Sequence, residues 1–184
     1  MLEQSLLRQW IEHAKAGDAA AFERIVVLHE RLVLRLAQRI LLNSEDAKDA
    51  AQEVFLRLHR NLRSFEAERD LTPWLYRMTV NIALDVARRF KRHAPLDATA
   101  DAADSAANPE EAMLVSQRRA LVMAALARLP ERERAAIVLR DMEGLETSEV
   151  AEILGSSETT VRSQISTGRA KLKSLIEARL RRAT

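Results

Sequence analysis

The chain has 184 residues, of which 47% are hydrophobic and only 4% aromatic, and its 29 basic side chains slightly outnumber its 27 acidic ones. With four Gly and four Pro against an abundance of Ala, Leu, Arg and Glu, the composition predicts an all-α protein and argues against all-β and α/β folds. The absence of Cys excludes disulfides, thiolate zinc sites and cysteine nucleophiles. Charged residues interrupt the first 16 positions and the apolar runs are short, which predicts a soluble cytoplasmic protein with no signal peptide or membrane span.

Helical periodicity is nearly continuous through the first half of the chain. It predicts helices over residues 2–14, 18–42, 44–62 and 72–92. Ser44 and Thr72 each stand directly before residues suited to a first helical turn, so we expect both to act as N-caps. These helices make up a predicted N-terminal domain at residues 1–92.

The predicted helix at 44–62 has carboxylates along one side. Asp46, Asp49 and Glu53 are spaced at i, i+3 and i+7, so they share a face that points away from the apolar positions of the helix. An acidic stripe of this kind can meet a basic partner surface. The plainer interpretation is that Glu45 and Asp46 complement the helix dipole. We predict no metal ion at these carboxylates, because they lie on an exposed helix face.

Aromatic rings and cations gather between residues 64 and 92. Four of the seven aromatic residues lie there, namely Phe65, Trp74, Tyr76 and Phe90, and four of the five residues 88–92 are basic. Proteins hold the bases of an opened duplex on aromatic faces, with cationic groups on the backbone, at about 1–3 kcal/mol per stacked base. The segment is therefore typical of single-strand binding. The alternative is that Trp74 and Tyr76 simply fill a small hydrophobic core.

Residues 93–112 hold five acidic and no basic side chains, and almost no large apolar ones. A segment with so little to bury cannot offset its ordering entropy, so we predict a flexible acidic linker. Asn108 and Pro109 near its end suit the N-cap and first position of a helix. The linker separates the N-terminal domain from a predicted C-terminal domain at residues 113–184.

Helices of the C-terminal part are predicted at residues 109–128, 131–142, 147–154 and 158–180. The short third helix ends at Gly155 and the next begins after the cap Ser157, which is the sequence form of a helix-turn-helix. Residues 131–158 carry 8 acidic and 3 basic side chains, whereas residues 162–182 carry 7 basic and 1 acidic. Only the last helix is thus suited to DNA phosphates. The plainer alternative is a helical hairpin with a solvated basic face.

The chain closely resembles the extracytoplasmic-function class of bacterial sigma factors over residues 18–180. Three motifs carry the resemblance in the expected order: SEDAKDAAQEVFLRLHRNLRSF from residue 44, PWLYRMTVN from residue 73, and the helix-turn-helix. It implies a stress-response subunit, not an enzyme and without a cofactor, that binds bacterial core RNA polymerase and directs promoter-specific transcription initiation. Such factors recognise minus-35 duplex and minus-10 melted DNA, and an anti-sigma factor often holds them inactive.

The resemblance also implies which residues make each contact. The helix at 46–62 would dock on the clamp of the largest polymerase subunit, through Asp46, Asp49, Gln52, Glu53 and Phe55. The loop at 64–71 and the helix after it would capture the minus-10 strand, through Phe65, Trp74, Arg77, Asn81, Asp85, Arg88 and Arg89. The last helix would read the minus-35 duplex, through Thr159, Thr160, Arg162, Ser163, Ser166, Thr167, Arg169 and Lys173.

The sequence departs from the family pattern at both DNA-binding elements. Ala67 and Leu71 stand where Gly and an aromatic residue are usual, which bears on the base preference of the minus-10 pocket. Gln164 and Thr167 stand where Arg is frequent, and Ser156 replaces a usual apolar residue. Fewer phosphate and guanine contacts should follow, so we expect weaker or altered minus-35 recognition.

Two other classes of protein compete with this interpretation. A free-standing helix-turn-helix regulator would bind duplex DNA without polymerase, with an N-terminal domain that senses a ligand or dimerises. It would leave the acidic stripe and the Trp74 segment unexplained. An enzyme or a helical scaffold is the second alternative. The four Gly are too scattered for a phosphate-binding loop and the four His lack metal-ligand spacing, so we expect no catalytic, metal or cofactor site.

Overall fold

The computed structural model describes residues 2–91 and 109–183, which contain helices and no strand. The all-α prediction is confirmed. In chain order the helices are α1 (Leu2–Lys15), α2 (Ala19–Leu41), α3 (Ser44–Asn61), α4 (Leu71–Lys91), α5 (Pro109–Leu126), α6 (Glu131–Ile137), α7 (Thr147–Leu154) and α8 (Glu158–Ala183). Most of the predicted linker, residues 93–108, lies outside the described residues. We refer to α1–α4 as the N-terminal block and to α5–α8 as the C-terminal block.

Helix α2 is the centre of the N-terminal block and packs against α1, α3 and α4. The core between these helices is built from aliphatic side chains rather than rings, as the composition predicts. Its fully buried members include Ile25, Val33, Val54, Leu58, Leu71 and Leu75. Burying one such side chain contributes about 1.5–3 kcal/mol, so the block is held chiefly by apolar packing.

Two predicted N-caps are wrong by one or two positions. The cap of α3 is Asn43 rather than Ser44, and its Oδ1 accepts from the backbone N–H two residues on at 2.9 Å. Asp70 Oδ1 accepts from the backbone N–H of Thr72 at 2.8 Å, and α4 begins at Leu71. Both corrections have the same reason, because an Asn or Asp side chain reaches the free N–H groups of a first turn at least as well as Ser or Thr.

In the C-terminal block, the predicted helix at 131–142 is an α-helix that widens in its last part. Helix α6 ends at Ile137 and continues as a π turn, Val138–Met142, where the backbone N–H of Glu143 donates to the Val138 carbonyl five residues back at 2.9 Å. A π turn adds one residue to a helical turn and is frequent at functional sites. The extra residue of the π turn therefore changes which side chains of this segment face outward.

The helix-turn-helix has the predicted form. Helix α7 ends at Gly155, whose φ of +57° is the left-handed conformation that glycine adopts without strain. Ser157 Oγ then accepts from the backbone N–H of Thr160 at 3.2 Å and begins α8. Val161 and Ile165 are buried on the inner side of α8, and this leaves its polar side outward.

Gly168 of α8 lies close to Ile137 at the end of α6. A Cβ added there would lie 3.0 Å from Ile137 Cγ1 and 3.3 Å from Ile137 Cδ1. Because Ile137 is only 3% exposed, it has little room to move away. We expect Gly168→Val to lower the free energy of unfolding by about 2 kcal/mol through overpacking. Chemical denaturation measures this, with Ala170→Val at an exposed position of the same helix as control; equal losses in the two variants would contradict the close approach.

The two blocks pack against each other. Leu36, Ile40 and Val80 of the N-terminal block belong to one apolar cluster with Leu139 and Leu154 of the C-terminal block. Helix α4 contacts both α6 and α7, and α2 contacts α6. The sequence left open whether the two blocks lie apart or together; here they share a core.

Candidate polymerase and nucleic-acid interfaces

The acidic stripe forms on α3 as predicted. Asp49 is exposed and Asp46 and Glu53 are partly exposed, while the apolar positions of the helix are buried against α2 and α4, namely Ala47, Ala51, Val54 and Leu58. Gln52 is exposed beside the stripe, and Phe55 is half-buried against the core of the N-terminal block. The stripe is thus a surface with an apolar edge, available to a basic partner.

Local interactions push the pKa values of two stripe carboxylates in opposite directions. Partial burial raises the pKa of Asp46, and the neighbouring charges of Asp49 and Glu45 raise it further. A hydrogen bond from Arg57 Nε, at 2.6 Å from Glu53 Oε1, lowers the pKa of Glu53. The surroundings of Asp46 therefore disfavour its ionised form, whereas those of Glu53 favour it.

The raised pKa of Asp46 gives a testable pH dependence. Because the folded chain binds this proton more tightly than the unfolded chain, stability falls as pH rises from the ordinary Asp value through the raised one. We expect Asp46→Asn to unfold at a higher temperature than the unsubstituted chain near neutral pH, and the difference to vanish well below the ordinary Asp pKa. Thermal unfolding at the two pH values measures this, with Glu68→Gln on an exposed loop as control. A less stable Asn variant near neutral pH would contradict the assignment.

The candidate minus-10 rings lie together. Phe65 and Trp74 stack on each other with centroids 5.0 Å apart and ring planes 9° apart. They line a cleft of about 660 Å³ whose charged lining consists of two arginines, Arg69 and Arg77, and four carboxylates, Glu66, Asp70, Glu149 and Glu152. Arg69 Nε donates to Glu66 Oε2 at 2.8 Å. Since the two rings are in contact, a base cannot lie between them, and the stack instead offers its outer face to the cleft.

The remaining minus-10 candidates follow the exposed side of α4. Asn81, Asp85, Arg88 and Arg89 are all exposed, and Arg88 Nη1 lies 3.2 Å from Asp85 Oδ1. Along the sequence of α4 they follow the cleft-lining residues Trp74 and Arg77 toward the C-terminal end of the helix.

Ala67 and Leu71, where the chain departs from the family pattern, point away from the cleft. Ala67 is 4% exposed and Leu71 is fully buried in the core of the N-terminal block. Leu71 therefore packs in the core beneath the loop at 64–71 and does not form part of the loop's surface. The tyrosine of the segment, Tyr76, is buried and also contributes to the cleft lining, so the core interpretation holds for Tyr76. Phe65 and Trp74 are half-buried, and they both pack against the core of the N-terminal block and line the cleft.

All eight minus-35 candidates are exposed along the outer side of α8, namely Thr159, Thr160, Arg162, Ser163, Ser166, Thr167, Arg169 and Lys173. All three cations among them have a carboxylate partner within the chain, and Lys173 Nζ lies 4.0 Å from Glu177 Oε1. Arg162 Nη2 donates to Glu158 Oε2 at 2.8 Å. Arg169 makes a two-pronged bond to Asp141 in the π turn, with Nε 2.9 Å from Oδ2, and this bond raises the pKa of Arg169.

Gln164 does not lie on the DNA-facing side. Its side chain is half-buried, and its Oε1 is buried without a hydrogen-bond partner among the described residues. Compared with the Arg that is frequent in the family at this position, Gln164 lacks the positive charge, and its amide also faces the protein rather than the DNA-facing side of α8.

Sequence reasoning missed two carboxylates at the π turn. Asp141 holds Arg169, and Glu143 contacts three side chains of the N-terminal block, Arg35, Arg39 and Tyr76. The sequence showed both residues only as part of an acidic stretch. Residue spacing in the sequence could not identify them, because the directions of the Asp141 and Glu143 side chains depend on the π turn and on the packing of one block against the other.

No helix within residues 2–91 and 109–183 has the length and hydrophobicity that crossing a bilayer requires.

Comparisons with known proteins agree with the architecture. Residues 25–93 match the family model described as Sigma-70 region 2, and residues 119–172 match Sigma-70, region 4. The first match contains α3, the stacked rings and α4, and the second contains the helix-turn-helix.

Full-length relatives and a solved structure give the same result. The chain is 40% identical over 163 residues to the ECF RNA polymerase sigma factor SigM of Mycobacterium tuberculosis, covering 88% of this chain and 80% of SigM. It is 32% identical to the RNA polymerase sigma-H factor of Pseudomonas aeruginosa, with 100% of both chains covered. The sigma factor RpoE of Bartonella quintana, solved in complex with the anti-sigma factor NepR, shares the fold with a TM-score of 0.69 at 20% identity, over 85% of this chain and 96% of RpoE. The chain therefore belongs to the extracytoplasmic-function class of RNA polymerase sigma factors, the proteins that direct polymerase to promoters at transcription initiation.

Proposed function

We propose that this sigma factor divides its work between a polymerase-binding and minus-10-binding domain at residues 1–92 and a minus-35-binding domain at residues 113–184. The observation that carries the proposal is the Phe65–Trp74 stack in a cleft beside Arg69 and Arg77. A flat apolar surface next to cations suits an unpaired base with its phosphates. The stack lies within the segment that matches region 2.

The acidic stripe of α3 is the surface proposed for the polymerase clamp. Asp46, Asp49, Gln52 and Glu53 lie on one accessible face, and Phe55 supplies an apolar edge. Interfaces of this composition combine electrostatic steering with a small desolvated centre. The partner surface should therefore be basic, with an apolar position opposite Phe55.

The outer side of α8 is proposed to read the minus-35 duplex with modest affinity. Ser163 and Ser166 are exposed for direct contacts. The three cations share their charge with carboxylates of the chain: Arg162 with Glu158, Arg169 with Asp141 and Lys173 with Glu177. An arginine that already neutralises a carboxylate releases fewer DNA counterions. This supports weaker minus-35 binding than an arginine-rich helix would give.

Transcription initiation needs no catalytic group from this chain, because the polymerase supplies the active site. We therefore propose a non-enzymatic factor that acts in the cytoplasm, where its polymerase and promoters are. An anti-sigma factor is the proposed regulator, since the RpoE protein that shares this fold was solved with one. Its contact surfaces would overlap those offered to polymerase.

A gel shift with and without core polymerase tests whether the chain binds promoter DNA only as part of the polymerase complex. We expect a promoter fragment to shift only when both the chain and core polymerase are present, because each DNA contact is modest alone. If the chain alone bound the fragment as tightly as the complex does, the free-standing regulator would be the better description.

A further inference from the structure

The bond between Arg169 and Asp141 connects the DNA-facing side of α8 with the π turn Val138–Met142. Arg169 Nε donates to Asp141 Oδ2 at 2.9 Å, and Arg169 Nη2 donates to Asp141 Oδ1. The two residues are 28 positions apart, so the bond is a tertiary contact between two elements. It is also bidentate, which is the geometry in which a carboxylate holds a planar guanidinium most firmly.

The π turn holds Asp141 in place. The backbone N–H of Glu143 closes the turn on the Val138 carbonyl at 2.9 Å, and Val138 and Leu139 are fully buried in the core. The exposed fraction of the Asp141 side chain is 30%, against 58% for the Arg169 side chain. Asp141 is therefore the anchored member of the pair, and Arg169 is the member that extends into solvent.

The bond occupies one edge of the Arg169 guanidinium and leaves another edge outside the bond. Arginine has N–H donors on Nε, Nη1 and Nη2. Asp141 takes the N–H of Nε and one N–H of Nη2. The edge formed by Nη1 and Nη2 then presents two parallel N–H groups, which match O6 and N7 of guanine in the major groove. The carboxylate thus determines which edge of Arg169 can meet a base.

Arg169 shares its side of α8 with other residues proposed to read the minus-35 duplex. Arg162, Ser166, Arg169 and Lys173 are spaced at i, i+4, i+7 and i+11, so they follow one exposed side of the helix. A helix that lies in the major groove with this side inward brings the guanidinium toward the base edges. The carboxylate partners of Arg162 and Lys173 belong to α8 itself, whereas the partner of Arg169 belongs to a different element.

The same carboxylate affects binding through its charge. Because Asp141 cancels the charge of Arg169, it lowers the attraction of α8 for the phosphates of any duplex. Phosphate contacts carry no direct sequence information, whereas contacts to base edges do. Specificity is a difference between affinities, so weaker phosphate binding and a fixed base-reading edge both increase discrimination.

We propose that Asp141 is a positioning residue for minus-35 recognition, which turns Arg169 so that its Nη1–Nη2 edge reads a guanine and which lowers the affinity of α8 for unrelated duplex. The inference rests on the minus-35 role proposed for α8. A guanidinium that is already held loses less rotamer freedom when it binds. A guanidinium that is not held turns to the nearest phosphate, so α8 then binds DNA more tightly and less selectively.

The base preference of the assembled holoenzyme tests the positioning role. Each variant is combined with core polymerase and with a promoter fragment whose upstream element is randomised, and the bound fragments are sequenced. We expect Asp141→Asn to lower the preference for guanine by about fivefold at one position of that element, the lower end of what one bidentate base contact supplies. Asp141→Glu keeps both carboxylate oxygens and should recover most of the preference. Circular dichroism checks folding, and Asp141→Ser takes the place of Asp141→Asn if that variant unfolds.

Arg169→Lys shows whether Asp141 acts through the arginine. Lysine keeps the positive charge and lacks the planar fork of donors. Arg169→Lys should lose the guanine preference at the same position, and the addition of Asp141→Asn should then change that preference no further. An effect of Asp141→Asn that persists beside Arg169→Lys would overturn the inference. So would a preference that Arg169→Lys abolishes and Asp141→Asn leaves intact.

Binding to an unrelated duplex separates orientation from charge. Fluorescence anisotropy with a labelled duplex of mixed sequence compares the free chains over a series of salt concentrations. The matched control is Glu177→Gln, which releases Lys173 on the same side of α8 and changes the net charge by the same amount. Both Asp141→Asn and Glu177→Gln should bind this duplex about threefold more tightly, with a steeper salt dependence, because each frees a cation for phosphates.

Only Asp141→Asn should alter the guanine preference, because a lysine has no edge to orient. The same loss of preference in Glu177→Gln would reduce the role of Asp141 to its charge and overturn the inference. If the unsubstituted holoenzyme shows no base preference anywhere in the upstream element, the minus-35 function proposed for α8 fails and the inference fails with it. If a preference exists and Arg169→Lys leaves it unchanged, the function of α8 stands and the role of Asp141 is overturned.

Discussion

Replacing Asp49 and Glu53 together by lysine is expected to weaken the binding of core polymerase by at least about thirtyfold. Both residues lie on the accessible stripe of α3, away from the buried face of the helix. Like charges opposed across an interface lose much more affinity than a missing contact does, and the reversal turns an attractive surface into a repulsive one. Surface plasmon resonance with immobilised core polymerase measures the change, and the loss should shrink as salt is raised.

The control is the double substitution Glu23→Lys and Glu30→Lys on α2. Both of its residues are exposed, and it changes the net charge by the same amount. It should leave polymerase binding within about threefold of the unsubstituted chain, since exposed charges distant from an interface contribute little. Equal losses for both double variants would mean that net charge, and not the α3 stripe, governs the interaction.

Trp74→Ala should reduce capture of the minus-10 strand strongly. Its ring forms half of the stack with Phe65 and lines the cleft. Loss of one base–aromatic contact removes roughly 1–3 kcal/mol, which corresponds to about 5- to 150-fold in affinity. Anisotropy with a fluorescent non-template strand and the assembled holoenzyme measures this, because the holoenzyme is the form proposed to bind that strand.

Trp74→Phe is the control for ring loss, because it keeps a flat face against Phe65. It should recover most of the strand affinity. Trp10→Ala, at a half-buried position of α1 distant in sequence from the cleft, controls for general loss of a large side chain. If Trp74→Ala binds the strand as well as Trp74→Phe does, the ring of Trp74 contributes to packing of the core and does not bind a base.

The elements that sequence reasoning placed correctly are those whose signals are local. Helix α7 runs from Thr147 to Leu154 as predicted, because Gly155 and Ser157 mark the turn by backbone preference and side-chain capping alone. The acidic stripe of α3 was equally predictable, since helical spacing fixes which residues share a face. The caps Asn43 and Asp70 were missed because Ser44, one position later, and Thr72, two positions later, offered a competing choice.

The features that escaped prediction depend on contacts between distant residues. Arg169 has the charge and position of a DNA-binding residue, yet Asp141, 28 positions earlier, engages it. Glu143 bonds to Arg39 across 104 positions, and no periodic pattern relates the two. Gly168 is one of four glycines in the sequence, and nothing local distinguishes it. Only the packed structure shows that Ile137 leaves no room for a side chain there. Tertiary packing, rather than propensity, decides each of these.

Run-off transcription with purified core polymerase on a library of genomic fragments tests the central claim most directly. We expect that adding the chain produces new transcription starts at defined sites that share upstream elements. Those starts should be lost with the Asp49→Lys, Glu53→Lys double variant and retained with the Glu23→Lys, Glu30→Lys control. A chain that binds core polymerase without changing where transcripts begin, or that never joins it, would contradict the account.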